Sequence, residues 1–222
     1  MARTEPLLDE GSSSLAEKAY FAIRHKIVSL ELRPGAVIDE RALIDGLGIG
    51  RTPVREALRR LAQEQLVEVY PRRGMFVTTI EIRDLASLCE VREVLESHAA
   101  SLAAKRAGER ELGELRAMIA ELDRREPLDQ PALMALDERI HHTIYRAAQN
   151  AFLAATLEEY YVLALRIWHL ALDRTSELEA AVHSHRPLLA AIVRGDSDAA
   201  ARFMRKHIAD FERSMRRALL EG

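Results

Sequence analysis

The chain carries a single cysteine, Cys89, in 222 residues, so no disulfide can close within it. That suits a reducing compartment. Aromatic residues make up only 5%, while Ala, Leu, Glu and Arg are plentiful, a balance that favours helices over sheet. No apolar run approaches the roughly 20 residues of a membrane span, and the N-terminus lacks the apolar stretch of a signal peptide. The expectation is a cytoplasmic protein with no membrane partner. A His-Glu-x-x-His motif is absent too, which removes a common helix-borne zinc-hydrolase signature. What is present is ordinary for a globular chain: 48% apolar and 30% charged residues, enough to bury a core. The length allows two modest domains. Net charge is −3 but unevenly spread, since Arg51 to Arg73 holds six Arg against three acidic residues. From Glu81 onward the chain is acidic on balance. A basic patch on an acidic protein points to one anionic partner docking at one place.

Residues 1–13 read as a flexible polar tail. Ser14-Leu-Ala-Glu17 matches a capping box, and Leu15, Ala19, Ile23, Ile27 and Leu30 follow a helical period until Pro34-Gly35. Asp39 can cap a second helix to about Gly46. Leu47-Gly-Ile-Gly50 is then a tight turn before a third helix from near Arg51, with Pro53 in its first turn. The stretch "LVEVYPRRGMFVT" alternates on both sides of Pro71-Arg-Arg-Gly74 and predicts a β-hairpin with a basic tip. Beyond it, helices are expected at about 83–106, 109–125, 131–148, 151–173, 176–194 and 197–220. Asn150 caps the fourth of these, Pro187 kinks or splits the fifth, and Gly195-Asp196 separates the last two. The fold class is mainly α. A winged helix-turn-helix with a small β-hairpin wing occupies 14–79, and an all-α antiparallel helix bundle occupies 83–222.

In "RTPVREALRRL" the helical repeat places Arg51, Arg55 and Arg59 in one row, while Val54, Leu58 and Leu61 face a small core. Arg can bond a guanine edge bidentately or clamp a phosphate. Arg72, Arg73 and Gly74 at the hairpin tip add a second basic contact, and Thr52 sits beside Arg51. The plainer alternative is a solvated Arg face, partly neutralised by Glu56 and Glu64. Row, glycine turn and basic wing together favour DNA. The whole stretch "LRPGAVIDERALIDGLGIGRTPVREALRRLAQEQLVEVYPRRGMFV" resembles the DNA-binding domain of the GntR family of bacterial transcription regulators. By that resemblance Arg41, Arg51 and Arg55 match operator-contacting positions and Gly74 the wing tip. One position departs from the family: Gly50 stands where Ser or Thr is usual, which keeps the N-cap geometry but offers no hydroxyl.

The helical half places ionisable groups on apolar stripes. Arg92 falls among Leu85, Leu88, Leu95, Ala99 and Leu102. Asp137 falls among Leu133, Ile140 and Ile144, with His141 one turn on. His185 lies on a row with Leu178, Val182, Leu189 and Ile192, and His207 with Ala200, Phe203 and Phe211. Each alone would be costly to bury, and any single His is as readily a core histidine. Jointly, Asp137, His141, His185 and His207 form a set suited to a divalent transition metal. His142 and His183 fall off these rows. The segments "VREVLESHAASLAA", "LDERIHHTIYRAAQN" and "HRPLLAAIVRGDSDAAARFMRKHI" resemble the effector-binding FCD domain of FadR-type GntR regulators. The resemblance implies one metal held by Asp137, His141, His185 and His207, with zinc first and nickel or manganese as alternatives. It also implies that Arg92 faces the carboxylate of a small organic acid.

The expected function is a homodimeric DNA-binding transcriptional regulator that is not an enzyme. Its helical domain binds a metal and an organic acid that modulates affinity for double-stranded operator DNA. The alternatives are a regulator sensing the metal itself and a metallohydrolase.

Overall fold

The computed structural model describes residues 14–124, 126, 128–172 and 177–220. The expected tail at 1–13 lies outside the described residues. Contacts divide the chain into two compact units between Ile80 and Glu81.

In the first unit, α1 (Leu15–Val28) opens where Ser14 Oγ accepts the Glu17 amide at 3.2 Å, which satisfies an otherwise orphaned donor. Its buried face is Ala19, Tyr20, Ile23, Ile27 and Val28. Two expected core positions fail here. Leu15 is 58% exposed, and Leu30 lies past the helix end in the left-handed region, at φ +61. The Leu32 amide turns back to the Lys26 carbonyl at 2.8 Å and closes the helix before Pro34 is reached.

The Asp39 carboxylate caps α2 (Glu40–Leu47) through the Arg41 and Ala42 amides, at 2.9 and 3.0 Å. Gly48 ends it at φ +64, a conformation that costs glycine little. Then α3 (Arg51–Gln63) starts at Gly50 with no side-chain cap and buries Val54, Ala57, Leu58 and Leu61. The strands β1 (Val67–Tyr70) and β2 (Gly74–Val77) pair antiparallel, from Val67↔Val77 to Tyr70↔Gly74. An isolated bridge from Val37 to Phe76 adds a third backbone segment to this hairpin. No alternation announces that bridge in the sequence.

The second unit is all helix. It comprises α4 (Ile82–Arg106), α5 (Glu109–Leu122), α6 (Gln130–Ala147) and α7 (Ala151–Ala171), then α8 (Leu178–His183), α9 (His185–Val193) and α10 (Ser197–Leu220). The helical segment expected over 176–194 is split in two, as Pro187 implied, because Pro187 has no N–H to offer the preceding turn. Asn150 Oδ1 accepts the Leu153 amide at 3.2 Å, and Asp196 Oδ1 the Ala199 amide at 2.9 Å.

The inward face of α4 is rotated from the expected one. Leu88 and Leu95 are only half-buried, while Leu85, Cys89, Arg92, Glu96, Ala99 and Ala103 point inward. The two stripes share Leu85, Arg92 and Ala99 and differ by one residue elsewhere. Small side chains at Cys89, Ala99 and Ala103 let neighbouring helices approach, and α10 packs along α4.

Leu58→Ala, at a fully buried site, is expected to lower the unfolding free energy by about 2–5 kcal/mol. Phe152→Ala, at a side chain 89% exposed, is expected to change it by less than about 0.5 kcal/mol. Urea denaturation measures both.

Candidate metal centre and nucleic-acid interface

Arg51, Thr52, Arg55 and Arg59 are all exposed on α3, opposite the face formed by Val54, Leu58 and Leu61. Arg41 is exposed in the first turn of α2, and Arg72, Arg73 and Gly74 are exposed at the wing. The wing turn relies on Gly74 at φ +102 and holds Arg72 at φ +64. Arg73 lies with its guanidinium 5.7 Å from the Tyr70 ring centroid. Arg55 Nε meets Glu40 Oε2 at 3.1 Å, an exposed pair of little net stability that a phosphate can displace. Arg60 differs from its neighbour Arg59. It sits 3.7 Å over the Tyr20 ring and pairs with Glu64 at 3.1 Å, while the Tyr20 hydroxyl donates to the same Glu64 at 2.8 Å. Arg60 therefore braces α1 against α3, and Arg51, Arg55 and Arg59 are left as the outward row.

In the second unit, the structure brings Asp137 and His141 of α6, His185 of α9 and His207 of α10 together. One ligand atom from each lies within 4.8 Å of all the others, and all four residues are buried. The partner of each ring fixes its tautomer. His185 Nδ1 is 3.0 Å from the Val182 carbonyl, which can only accept, so the proton is on Nδ1. The Ser184 hydroxyl donates to the Ala181 carbonyl at 2.6 Å, so its oxygen accepts from His207 Nδ1–H at 3.0 Å. His141 Nδ1 stands 3.0 Å from the Glu96 carboxylate, which can only accept, and 3.2 Å from the Tyr145 hydroxyl, so the proton is on Nδ1.

In the neutral, ligating form each ring presents its Nε2 lone pair. The Nε2 atoms of His141 and His185 stand only 3.2 Å apart. Two imidazoles on one tetrahedral zinc, at about 2.0–2.1 Å each, stand about 3.3 Å apart. Asp137 contributes the negative charge, and Tyr161 holds its Oδ2 by a 2.9 Å hydrogen bond. The donor set and its spacing fit a divalent metal.

Burial pushes the His185 ring down to about 4 despite the opposing charge of Asp137. Burial, then the neighbouring His185 and His141, pushes His207 well below the ordinary value. Both rings are neutral at pH 7, the form that ligates. His142 and His183 stay outside the cluster. His142 lies 3.2 Å from Glu158, and the exposed His183 has its Nδ1 2.9 Å from the Glu179 carbonyl.

Arg92 is buried beside the cluster, as its stripe implied, but it is not free. Its Nε bonds Glu96 Oε1 at 2.6 Å, and Glu96 is wholly buried. Burial alone would raise the Glu96 carboxyl; the Arg92 charge and then His141 outweigh it and hold it down at about 2. Glu96 Oε2 also lies 3.0 Å from His141 Nδ1. Leucine-weighted periodicity hid Glu96. The Arg92-x-x-x-Glu96 spacing, an i,i+4 pair on the same face, was the signal that could have found it. A cavity of about 380 Å³ between α8 and α10 is lined by Ser184, His207 and Phe211, and the Phe211 ring lies 5.2 Å from the Arg92 guanidinium.

A family model described as "Bacterial regulatory proteins, gntR family" matches residues 15–77, and one described as "FCD domain" matches residues 87–210. A relative from Streptomyces ambofaciens, an uncharacterized HTH-type transcriptional regulator in an unstable DNA locus, is 31% identical over 85% of this chain and 80% of its own length. The HTH-type transcriptional repressor RspR of Escherichia coli K12 is 25% identical over 93% of this chain and 91% of its own. Among solved structures, Escherichia coli McbR/YncC superposes with a TM-score of 0.78 at 24% identity, covering 90% of this chain and 95% of that one. That likeness concerns the fold.

The folded values of His185 and His207 lie below the roughly 6.5 of an exposed histidine, so on acidification the unfolded chain takes up protons first. Their stabilising contribution is complete above about pH 6.5 and is lost as pH falls toward the His185 value of about 4. Metal-stripped protein is therefore expected to melt at progressively lower temperature between those limits, and His185→Asn to flatten that dependence. A melting temperature constant across the window contradicts neutral buried rings.

Proposed function

The chain belongs to the gntR family of bacterial regulatory proteins and carries an FCD domain, and from that premise we propose a one-component regulator that senses a small organic acid through a metal centre. The family and its relatives are transcriptional regulators, so the metallohydrolase alternative is set aside. In this reading residues 14–79 bind operator DNA and residues 83–222 hold metal and effector. The α3 helix enters the major groove with Arg51, Thr52, Arg55 and Arg59, Arg41 contacts the backbone, and Arg72, Arg73 and Gly74 of the wing lie along the flanking groove. The protein acts as a homodimer on two half-sites about one helical turn apart. Among the described residues no helix is long and apolar enough to cross a membrane, and the site of action is the cytoplasm, where the operator is.

One observation carries the metal reading: the Nε2 atoms of two buried imidazoles stand 3.2 Å apart, with Asp137 and His207 beside them. In the neutral, ligating form their lone pairs repel unless a cation lies between them. Asp137, His141, His185 and His207 hold the ion, with zinc favoured by three imidazoles and one carboxylate, and nickel or manganese as alternatives. An organic acid would complete the coordination and meet Arg92 through Nη1, which is buried without a hydrogen-bond partner among the described residues. A second reading, in which the metal alone is the signal, is supported by the prior engagement of Arg92 with Glu96.

Arg51→Ala or Arg55→Ala is expected to weaken binding to a selected operator duplex by about 1–3 kcal/mol where the lost contact reads a base. Fluorescence anisotropy measures it, and unchanged affinity removes α3 from the groove. His185→Ala combined with His207→Ala is expected to abolish metal content by elemental analysis of the purified protein. Full retention shows that other residues bind the ion.

A further inference from the structure

We propose that Glu96 is a positioning residue of the metal centre, which ties the Arg92 guanidinium to the metal ligand His141. The inference rests on the metal reading above and deepens it. An Arg–carboxylate pair with nothing else to do closes as a fork, with two parallel bonds. Here the fork is open. Arg92 Nε bonds Glu96 Oε1 at 2.6 Å, while Glu96 Oε2 has no hydrogen-bond partner among the described residues. The second carboxylate oxygen is turned away, to 3.0 Å from His141 Nδ1. The Tyr145 hydroxyl lies beside the same ring, its oxygen 3.2 Å from His141 Nδ1.

Glu96 Oε2 stands 3.0 Å from His141 Nδ1 as a charge contact, and the Tyr145 oxygen is the ring's hydrogen-bond partner at 3.2 Å. His141 Nδ1 therefore faces the Glu96 carboxylate directly. A carboxylate behind the distal nitrogen fixes the ring and raises the basicity of the nitrogen that faces the metal. The other two rings have no carboxylate that close to Nδ1: His185 leans on a backbone carbonyl, with Asp137 Oδ1 at 3.8 Å, and His207 on a serine hydroxyl. His141 is the charge-backed ligand of the set. Glu96 is also the contact that Arg92 shares with it, so any change at the guanidinium reaches the metal ligand without backbone movement.

The test uses full-length protein, zinc as probe and chelator competition as readout, on wild type, Glu96→Gln, Arg92→Met and the double variant. The double variant removes both buried charges and so guards against a Glu96→Gln chain that cannot fold with Arg92 unpaired. Glu96→Gln and the double variant are expected to keep one zinc per chain but to bind it about 10–100-fold more weakly. The His141 Nδ1–H resonance of the zinc-loaded protein is expected to move upfield when the carboxylate is replaced. Arg92→Met is expected to alter zinc affinity by about threefold or more with Glu96 present and to add nothing in the Glu96→Gln background. Wild-type zinc affinity in the double variant overturns the inference, and strictly additive effects overturn the link to Arg92. Stoichiometric zinc in the wild type with an indifferent Glu96 leaves the metal reading standing; a wild type that takes up no zinc overturns both.

Discussion

The helical unit is organised around lone pairs that face one another. His141, His185 and His207 each commit the Nδ1 proton to a different acceptor, and what remains of each ring is an electron pair aimed at a common point. In the neutral, ligating form these lone pairs repel, and burial denies them water. The contacts around them keep them there nonetheless: Tyr161 holds Asp137, Ser184 holds His207, and the Val182 carbonyl holds His185. A cation at the centre turns this repulsion into attraction. Orientation fixed from behind is what a metal site needs of its surroundings.

The break at Pro187 belongs to the same construction. Without an N–H at Pro187 the helix cannot run through, and it parts at Ser184 into α8 and α9. Beside the break the Val182 carbonyl, which still accepts a backbone N–H of the turn, also accepts from His185 Nδ1, and the Ser184 hydroxyl accepts from His207 Nδ1.

The DNA-facing unit divides its arginines by what lies beneath them. Arg60 is held between the Tyr20 ring and Glu64 and serves the packing of α1 on α3. Arg51 and Arg59 are exposed, and Arg55 carries a solvated partner, Glu40. Guanidiniums bound that loosely can be given over to a phosphate or a base at small cost. The basic row and the apolar row on α3 are two consequences of one helical repeat. The mainly helical architecture and the hairpin follow from that same patterning, and the family match agrees with them.

Local chemistry was legible in the chain itself. Asp39, Asn150 and Asp196 are short polar side chains at helix starts, and each caps as its type dictates. Asp137 and His141 share a helix face by their spacing alone, and Arg92 is inward by either phase of α4. What the chain could not decide was which phase α4 would take. Leu88 with Leu95 and Cys89 with Glu96 offer equally regular stripes, and hydrophobicity favoured the leucines. Packing chose the other, because small side chains admit neighbouring helices closely and because Glu96 is tolerable inside only where Arg92, His141 and Tyr145 surround it. Those partners lie on α4 and α6, up to 49 positions away in the chain's numbering for Tyr145. Period and capping are properties of neighbours along the chain. The burial of a charge depends on who meets it in space, and only the tertiary structure decides that.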